Sequence, residues 1–409
     1  MKRFIYIIIT LVAASCSMDQ MSDPYSDDTL NVLTIEVSYP DGYSDYQLEG
    51  LTVSIEDIDN GNDYLATLDQ EGTAIIELTN GRYLIQFSAR HGNDIFNATA
   101  DRVLLSNKNI TVPLSPTCSV AGGLLIKEIY CGGCMKSPAE GTYHYDKYVV
   151  LHNNSDDVVY LDGLCYGMLD PYNSQASNIW VTSDALTGAT IYADELYLVQ
   201  AVWQIGGDGT TFPLAPGEDA VICNAGAIDH TSQYPLSVNL NNEDYFVLYD
   251  NVLFDNTYYH PAPGDNISPD RYLNVAIKLG VANAWPFSVY SPAPLFFFPQ
   301  GRTIEEYILE PDAVFWKPGS NYDQIMRIPL DWVVDGVEVF YGGSSSNSKR
   351  FNPIVDAGYV LHTALYDGKS LHRYVDEQAS SEAGYEVLID TNNSSVDFYE
   401  RSQASLKDE

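Results

Sequence analysis

The chain has 409 residues, of which 45% are hydrophobic and 12% aromatic, and it carries 56 Asp plus Glu against 20 Lys plus Arg, a formal charge of −36. Such acidity repels phosphate backbones and excludes nucleic acid as a partner, while the aromatic content excludes general disorder. The length allows a sizeable core and more than one domain.

Residues 1–15 have the form of a signal peptide. Lys2 and Arg3 precede an apolar run from Phe4 to Ala14, too short to span a bilayer. The run ends in Ala13-Ala14-Ser15-Cys16, which resembles a bacterial lipobox, with cleavage before Cys16 and acylation of its thiol. Several acyl chains on one residue give stable anchoring, so the resemblance implies a lipid membrane as the first partner. Residues 16–29 read as a tether. Asp19, Asp23, Asp27 and Asp28 make it similar to the acidic export signals of Bacteroidota lipoproteins, and Asp28-Thr29-Leu30 resembles the short O-glycosylation motif of that phylum. The expectation is an outer-membrane lipoprotein on the extracellular face.

From 30 to 116 the pattern has period two. Leu33, Ile35 and Val37 alternate with polar residues, as do Leu51, Val53 and Ile55, and then Tyr83, Ile85 and Phe87. That alternation predicts strands with one buried face, separated by turns at Asp41-Gly42, Asn60-Gly61, Asn80-Gly81 and Gly92-Asn93. About seven short strands in this span fit a β-sandwich. Glu71-Gly72-Thr73-Ala74, followed by Asn80-Gly81-Arg82-Tyr83, resembles the prealbumin-like sandwich. Such modules serve as spacers or stabilisers.

A second, larger β-rich region is expected over 119–405. Leu124 to Tyr130, Tyr148 to Asn153 and Val158 to Leu161 read as strands. Their order resembles the opening of a lamin-tail-like, immunoglobulin-like sandwich, and Gly368 to Tyr374 with Asp390 to Phe398 resembles its close. The fold class is therefore mainly β: an N-terminal Ig/prealbumin-like β-sandwich followed by a larger, elaborated β-sandwich-like domain. The arrangement as a whole resembles the Bacteroidota lipoprotein family known as domain of unknown function 4876, whose members often lie near genes for TonB-dependent outer-membrane receptors and which has no established activity. Together with the lipobox, the β-sandwich modules and the aromatic content, the resemblance leads to the expectation of a non-enzymatic accessory or binding component of a TonB-dependent receptor or another outer-membrane complex. The alternatives are direct capture of a ligand (glycan, peptide, haem or metal chelate) and an exported hydrolase. Helix signals are confined to Thr303–Leu309, with Thr303 and Glu306 at capping-box positions, and to Asp323–Asp331.

Few residues suggest chemistry. There is no G-x-S-x-G elbow, no H-E-x-x-H and no P-loop, so no catalytic residue and no cofactor is expected. Cys131-Gly132-Gly133-Cys134 has redox or zinc-knuckle spacing but lacks a second such pair. An exported setting favours disulfides, within this pair or to Cys118, Cys165 or Cys223. A metal held with the help of His144 and His152 is the other reading. Ala284 to Pro299 is an apolar stretch with four prolines, which predicts a loop. Its rings either pack on their own domain or meet a partner. Trp285, Phe287, Phe296, Phe297 and Phe298 are the candidate contacts. Gly342 to Ser348 reads as a flexible loop.

Overall fold

The computed structural model describes residues 29–407 apart from 93, 121, 138, 139 and 286. Cys16, the signal peptide and nearly all of the tether lie outside the described residues. No helix among the described residues is long and apolar enough to cross a membrane.

The N-terminal module contains β1 (Asn31–Val37), β2 (Thr52–Asp57), β3 (Asp63–Thr67), β4 (Thr73–Leu78), β5 (Gly81–His91), β6 (Asp94–Leu105), β7 (Ile110–Leu114) and β8 (Thr117–Val120). They form two sheets, ordered β4-β1-β7 and β3-β2-β5-β6-β8. The period-two residues face each other between the sheets: Leu33, Ile35, Val53, Ile55, Tyr83, Ile85 and Phe87 are all buried in one cluster. β8 pairs with β6 through Phe96 and Cys118, so the module runs to 120, beyond the Pro116 at which turn composition ends it.

The larger domain is built on an eleven-stranded curled sheet. From one edge it runs Val333–Gly336, Pro294–Phe297, Cys165–Met168, Ala201–Gln204, Tyr272–Lys278 and Phe246–Leu248. It continues through Asp219–Cys223, Tyr148–Asn153, β9 (Leu124–Tyr130), Ser370–Arg373 and Phe398–Arg401. The opening and closing segments therefore meet, with Leu371 opposite Ile129 on β9. Alternation sorts the side chains. Val149, Leu151 and Phe296 enter a large core on one face. On the other face, Leu295 and Phe297 enter one smaller cluster and Tyr148 and Val150 another. The protein is mainly β, with two sandwich-like units.

Two local expectations are corrected. Asp323–Asp331 is not a helix: Gln324–Pro329 is a strand held between Glu195–Val199 and Val314–Trp316, and Pro329 ends it before a 3-10 turn. Pairing on both edges overrides weak helix propensity. Gly342 to Ser348 is likewise anchored, because buried Asn347 accepts from the Ser174 hydroxyl at 2.5 Å and donates to Gly343 O at 2.8 Å. At 304–307 the helix is present, with both halves of the Thr303/Glu306 capping box formed.

The two units are bonded directly. Gln86 Nε2 donates to Ala357 O at 2.6 Å, Thr99 Oγ1 to the same carbonyl at 3.1 Å, and Leu104 N to Thr187 O at 2.8 Å. Arg102 reaches Asn347 O, and Tyr192 donates to Asp101 at 3.1 Å.

Candidate functional site

The Cys131–Cys134 turn leaves the end of β9. Both glycines are required by close approach: a Cβ on Gly132 would stand 2.4 Å from the His362 ring, and one on Gly133, at φ +71°, 2.2 Å from Tyr143 O. The turn separates the thiols. Cys131 Sγ lies 3.9 Å from His362 Nδ1, and Cys134 Sγ 3.6 Å from Asp146 Oδ2. Burial pushes both thiols up to about 12, which disfavours the thiolate form.

The expected disulfides are absent, since all five described cysteines are free. The reason is geometric. Cys118, Cys131, Cys134, Cys165 and Cys223 belong to five different apolar clusters, and a disulfide needs side chains directed toward each other. The metal reading fails as well: among the described residues no three His, Cys, Asp or Glu side chains converge. His152 is occupied by Asp219 Oδ1 at 2.6 Å and Glu386 O at 2.9 Å. His144 is lowered to about 4, chiefly by burial and then by Lys147.

The aromatic stretch is also corrected. Pro294–Phe297 is an interior strand between Cys165–Met168 and Val333–Gly336. Its prolines bracket the strand: Pro292 precedes it, Pro294 starts it and Pro299 follows it. Trp285, Phe287, Phe296 and Phe297 are at most 1% exposed, and Phe298 is half-buried against the main core. Phe296 stacks on Tyr166 at 4.4 Å, and Trp285 meets the same ring edge-on at 5.3 Å. These rings build the core, so they are withdrawn as partner contacts.

The feature best suited to recognition lies between the two units. An open cleft of about 540 Å³ has the outer face of β2 and β3 as one wall. Residues 359–361 and 393–400 form the other. Alternation explains the first wall: Val53 and Ile55 turn into the sandwich, which leaves Ser54 and Glu56 outside, beside Asp63 and Leu65 of β3. Tyr359 closes the floor by donating to Glu56 Oε2 at 2.6 Å. Burial first, then Glu56, holds the Tyr359 hydroxyl well above its ordinary value. Glu400 stands on the opposite wall. Burial opposes its charge, but bonds from Thr363 N at 2.7 Å and Lys369 Nζ at 3.0 Å outweigh burial and lower its pKa.

The lining contains no Cys, His, Lys or Arg. It presents hydroxyls, amides, three carboxylates and exposed leucine and valine side chains. None of these residues stood out in the sequence. The usable signal was Leu65, an apolar residue at a position where alternation faces solvent, and it is 70% exposed.

Comparison with known proteins follows the same lines. The model of the family described as "Protein of unknown function (DUF4876)" matches residues 215–405. The fold is similar to the crystal structure of a DUF4876 family protein from Bacteroides thetaiotaomicron, with 24% identity and a TM-score of 0.57, over 90% of this chain and 94% of that one. A DUF3823 family protein from Parabacteroides merdae aligns over 43% of this chain and 90% of its own, at 15% identity and a TM-score of 0.17. No curated protein matches the chain.

Proposed function

With residues 215–405 matching the DUF4876 family, we propose that this protein is a non-enzymatic, lipid-anchored binding component of an outer-membrane assembly, held through Cys16 and presented at the cell surface beside a β-barrel such as a TonB-dependent receptor. The observation that supports this reading best is the cleft, an open surface lined from both units by hydroxyls, amides, carboxylates and exposed apolar side chains. The N-terminal sandwich then supplies one wall of a binding site and is more than a spacer.

The test has two arms. Cys16→Ala should remove the protein from the outer-membrane fraction or leave it unprocessed. Affinity capture of the wild type from detergent-solubilised membranes should recover a stoichiometric barrel protein. A Cys16→Ala variant that fractionates like wild type, or a monomer with no barrel partner, would sink the reading.

Stand-alone capture of a polar ligand is favoured by one separate feature. A hollow of about 500 Å³ is lined by Asn239, Asn241, Asn242, Glu243, Tyr245 and Asn266, and amides with an aromatic ring suit sugar hydroxyls. Glycan binding by a protein without a barrel partner would establish that reading instead.

A further inference from the structure

We propose that the inter-unit cleft takes an extended, cationic peptide segment of the partner, laid along the open edge of β3. This rests on reading the cleft as the binding surface and adds the chemistry of what fills it.

Strand edges carry the first part of the argument. β3 pairs only with β2, Phe398–Arg401 only with Ser370–Arg373, and Val360–His362 only with Val339–Tyr341. All three border the cleft. β3 is the outermost strand of its sheet, with β2 on one side only, and it contributes Asp63, Tyr64 and Leu65 to the lining of the cleft. An unpaired edge offers outward N–H and C=O groups to an added strand, and strand addition is an established mode of peptide recognition.

Charge decides the occupant. Glu56, Asp63 and Glu400 line the cleft and no cation does. The Asp63 side chain makes no hydrogen bond or ion pair among the described residues and is exposed. A second copy of a chain with formal charge −36 would be repelled. The chain's own residues 17–28 carry Asp19, Asp23, Asp27 and Asp28 and would be repelled too. Nucleic acid is excluded on the same ground. Because Glu400 is already paired with Lys369, a cationic segment gains chiefly from Asp63 and Glu56. Its apolar positions meet Leu65 on one wall and Leu361 and Val396, 39% and 52% exposed, on the other.

The test measures binding of fluorescein-labelled nonapeptides to the detergent-solubilised full chain. One probe alternates Lys with Val and Thr. A second replaces Lys with Glu, and a third places Pro at alternate positions, which removes the N–H groups that an added strand needs. The Lys probe should bind, with the Glu and Pro probes at least about tenfold weaker. Asp63→Lys should weaken the Lys probe about tenfold, and Leu65→Ala a few fold. Glu71→Lys, an exposed acid outside the cleft, should leave it unchanged. Both Asp63 and Leu65 are exposed, so folding should survive, and unchanged melting temperatures would establish that. Absence of binding, equal binding of the Pro probe, or equal losses in Asp63→Lys and Glu71→Lys would each overturn the proposal. Recovery of a barrel partner without binding of the Lys probe would overturn this inference and leave the accessory role standing. Binding of the Lys probe as described, with no barrel recovered, would do the reverse.

Discussion

The Tyr359 hydroxyl of the larger domain donates to the Glu56 carboxylate of the N-terminal sandwich at 2.6 Å, joining two side chains that lie far apart in sequence. The bond forms the floor of the cleft and ties its two walls together. Tyr359 also stacks on Phe340 at 4.3 Å, which fixes the ring from behind. Tyr359→Phe would keep the stacking and remove only the bond. A hydrogen bond to a charged group contributes about 1.5–3 kcal/mol. Thermal unfolding should therefore begin several degrees lower, and limited proteolysis near residue 121 should quicken. An unchanged melting curve and cleavage rate would show that the other contacts between the units suffice.

Arg350 and Glu338 form an ion pair with no exposed side-chain surface, at 2.6 Å. Arg350 also donates to the carbonyls of Pro171, at 3.1 Å, and Ser291, at 2.9 Å. Removing one partner strands a buried charge at a cost of about 3–5 kcal/mol. Arg350→Met alone should reduce the yield of folded protein severely. The Arg350→Met/Glu338→Met double variant should recover much of the loss, as measured by urea midpoints. A double variant no better than the single one would show that the carbonyl bonds matter more than the charge pair.

Stability should depend on pH through the carboxylates around Arg373. Asp335 and Asp397 lie 2.8 and 3.2 Å from its guanidinium. Burial raises Asp335 to about 7 and Asp397 to about 6, against the pull of Arg373. Both folded values exceed the ordinary 3.8. Their contribution is then fully present below about pH 4 and is lost as the pH rises through about 6 and 7. Urea midpoints should fall from pH 5 to pH 8, and Asp335→Asn should flatten that slope. The general negative charge of the chain acts in the same direction, so comparison with Asp335→Asn isolates the buried group. His144, His230, His260 and His362, whose pKa values are lowered chiefly by burial, act in the opposite direction below about pH 6.5. An Asp335→Asn slope equal to that of the wild type is therefore the outcome that would contradict the assignment.

Thiol chemistry should follow burial. Cys131, Cys134, Cys165 and Cys223 are buried and Cys118 is partly exposed. Burial raises the four buried thiols well above their ordinary range. Iodoacetamide should modify Cys118 in the native protein and all five in urea. Peptide mapping without reductant should find no bridge among them. A recovered Cys131–Cys134 disulfide would mean that the turn adopts another conformation.

Phe296 tests the reassignment of the aromatic stretch. Its ring lies between β-strands and stacks on Tyr166 with an interplanar angle of 2°. Phe296→Ala should cost about 3–5 kcal/mol, read as a lowered urea midpoint. The same substitution in Phe298, which is half-buried, should cost distinctly less. Preserved stability in both variants would return this segment to the surface.

Much of the architecture was legible in the sequence because it rests on local rules. Leu33, Ile35, Val53 and Ile55 alternate with polar neighbours, and such residues form strands with one buried face wherever the sheet goes. The Thr303/Glu306 capping box needs only four consecutive positions. The opening at Leu124 and the close at Leu371 carried enough pattern to suggest family and fold class before their strands were seen to pair.

What only the tertiary structure decided was non-local. Pro294–Phe297 reads as a proline-broken loop, yet its neighbours on both edges make it an interior strand, buried on both faces, where one-sided alternation vanishes. Gln324–Pro329 became a strand for the same reason. Cys131 and Cys134 have the spacing of a bonded pair, but a glycine turn packed against His362 and Tyr143 aims them into separate cores. The cleft has no sequence signature at all. Its carboxylates, Glu56 and Asp63 on one unit and Glu400 on the other, share a surface only because two sandwiches dock. Residue spacing encodes conformation over a few positions, whereas a binding surface between units depends on which faces remain uncovered once every strand has found its partners.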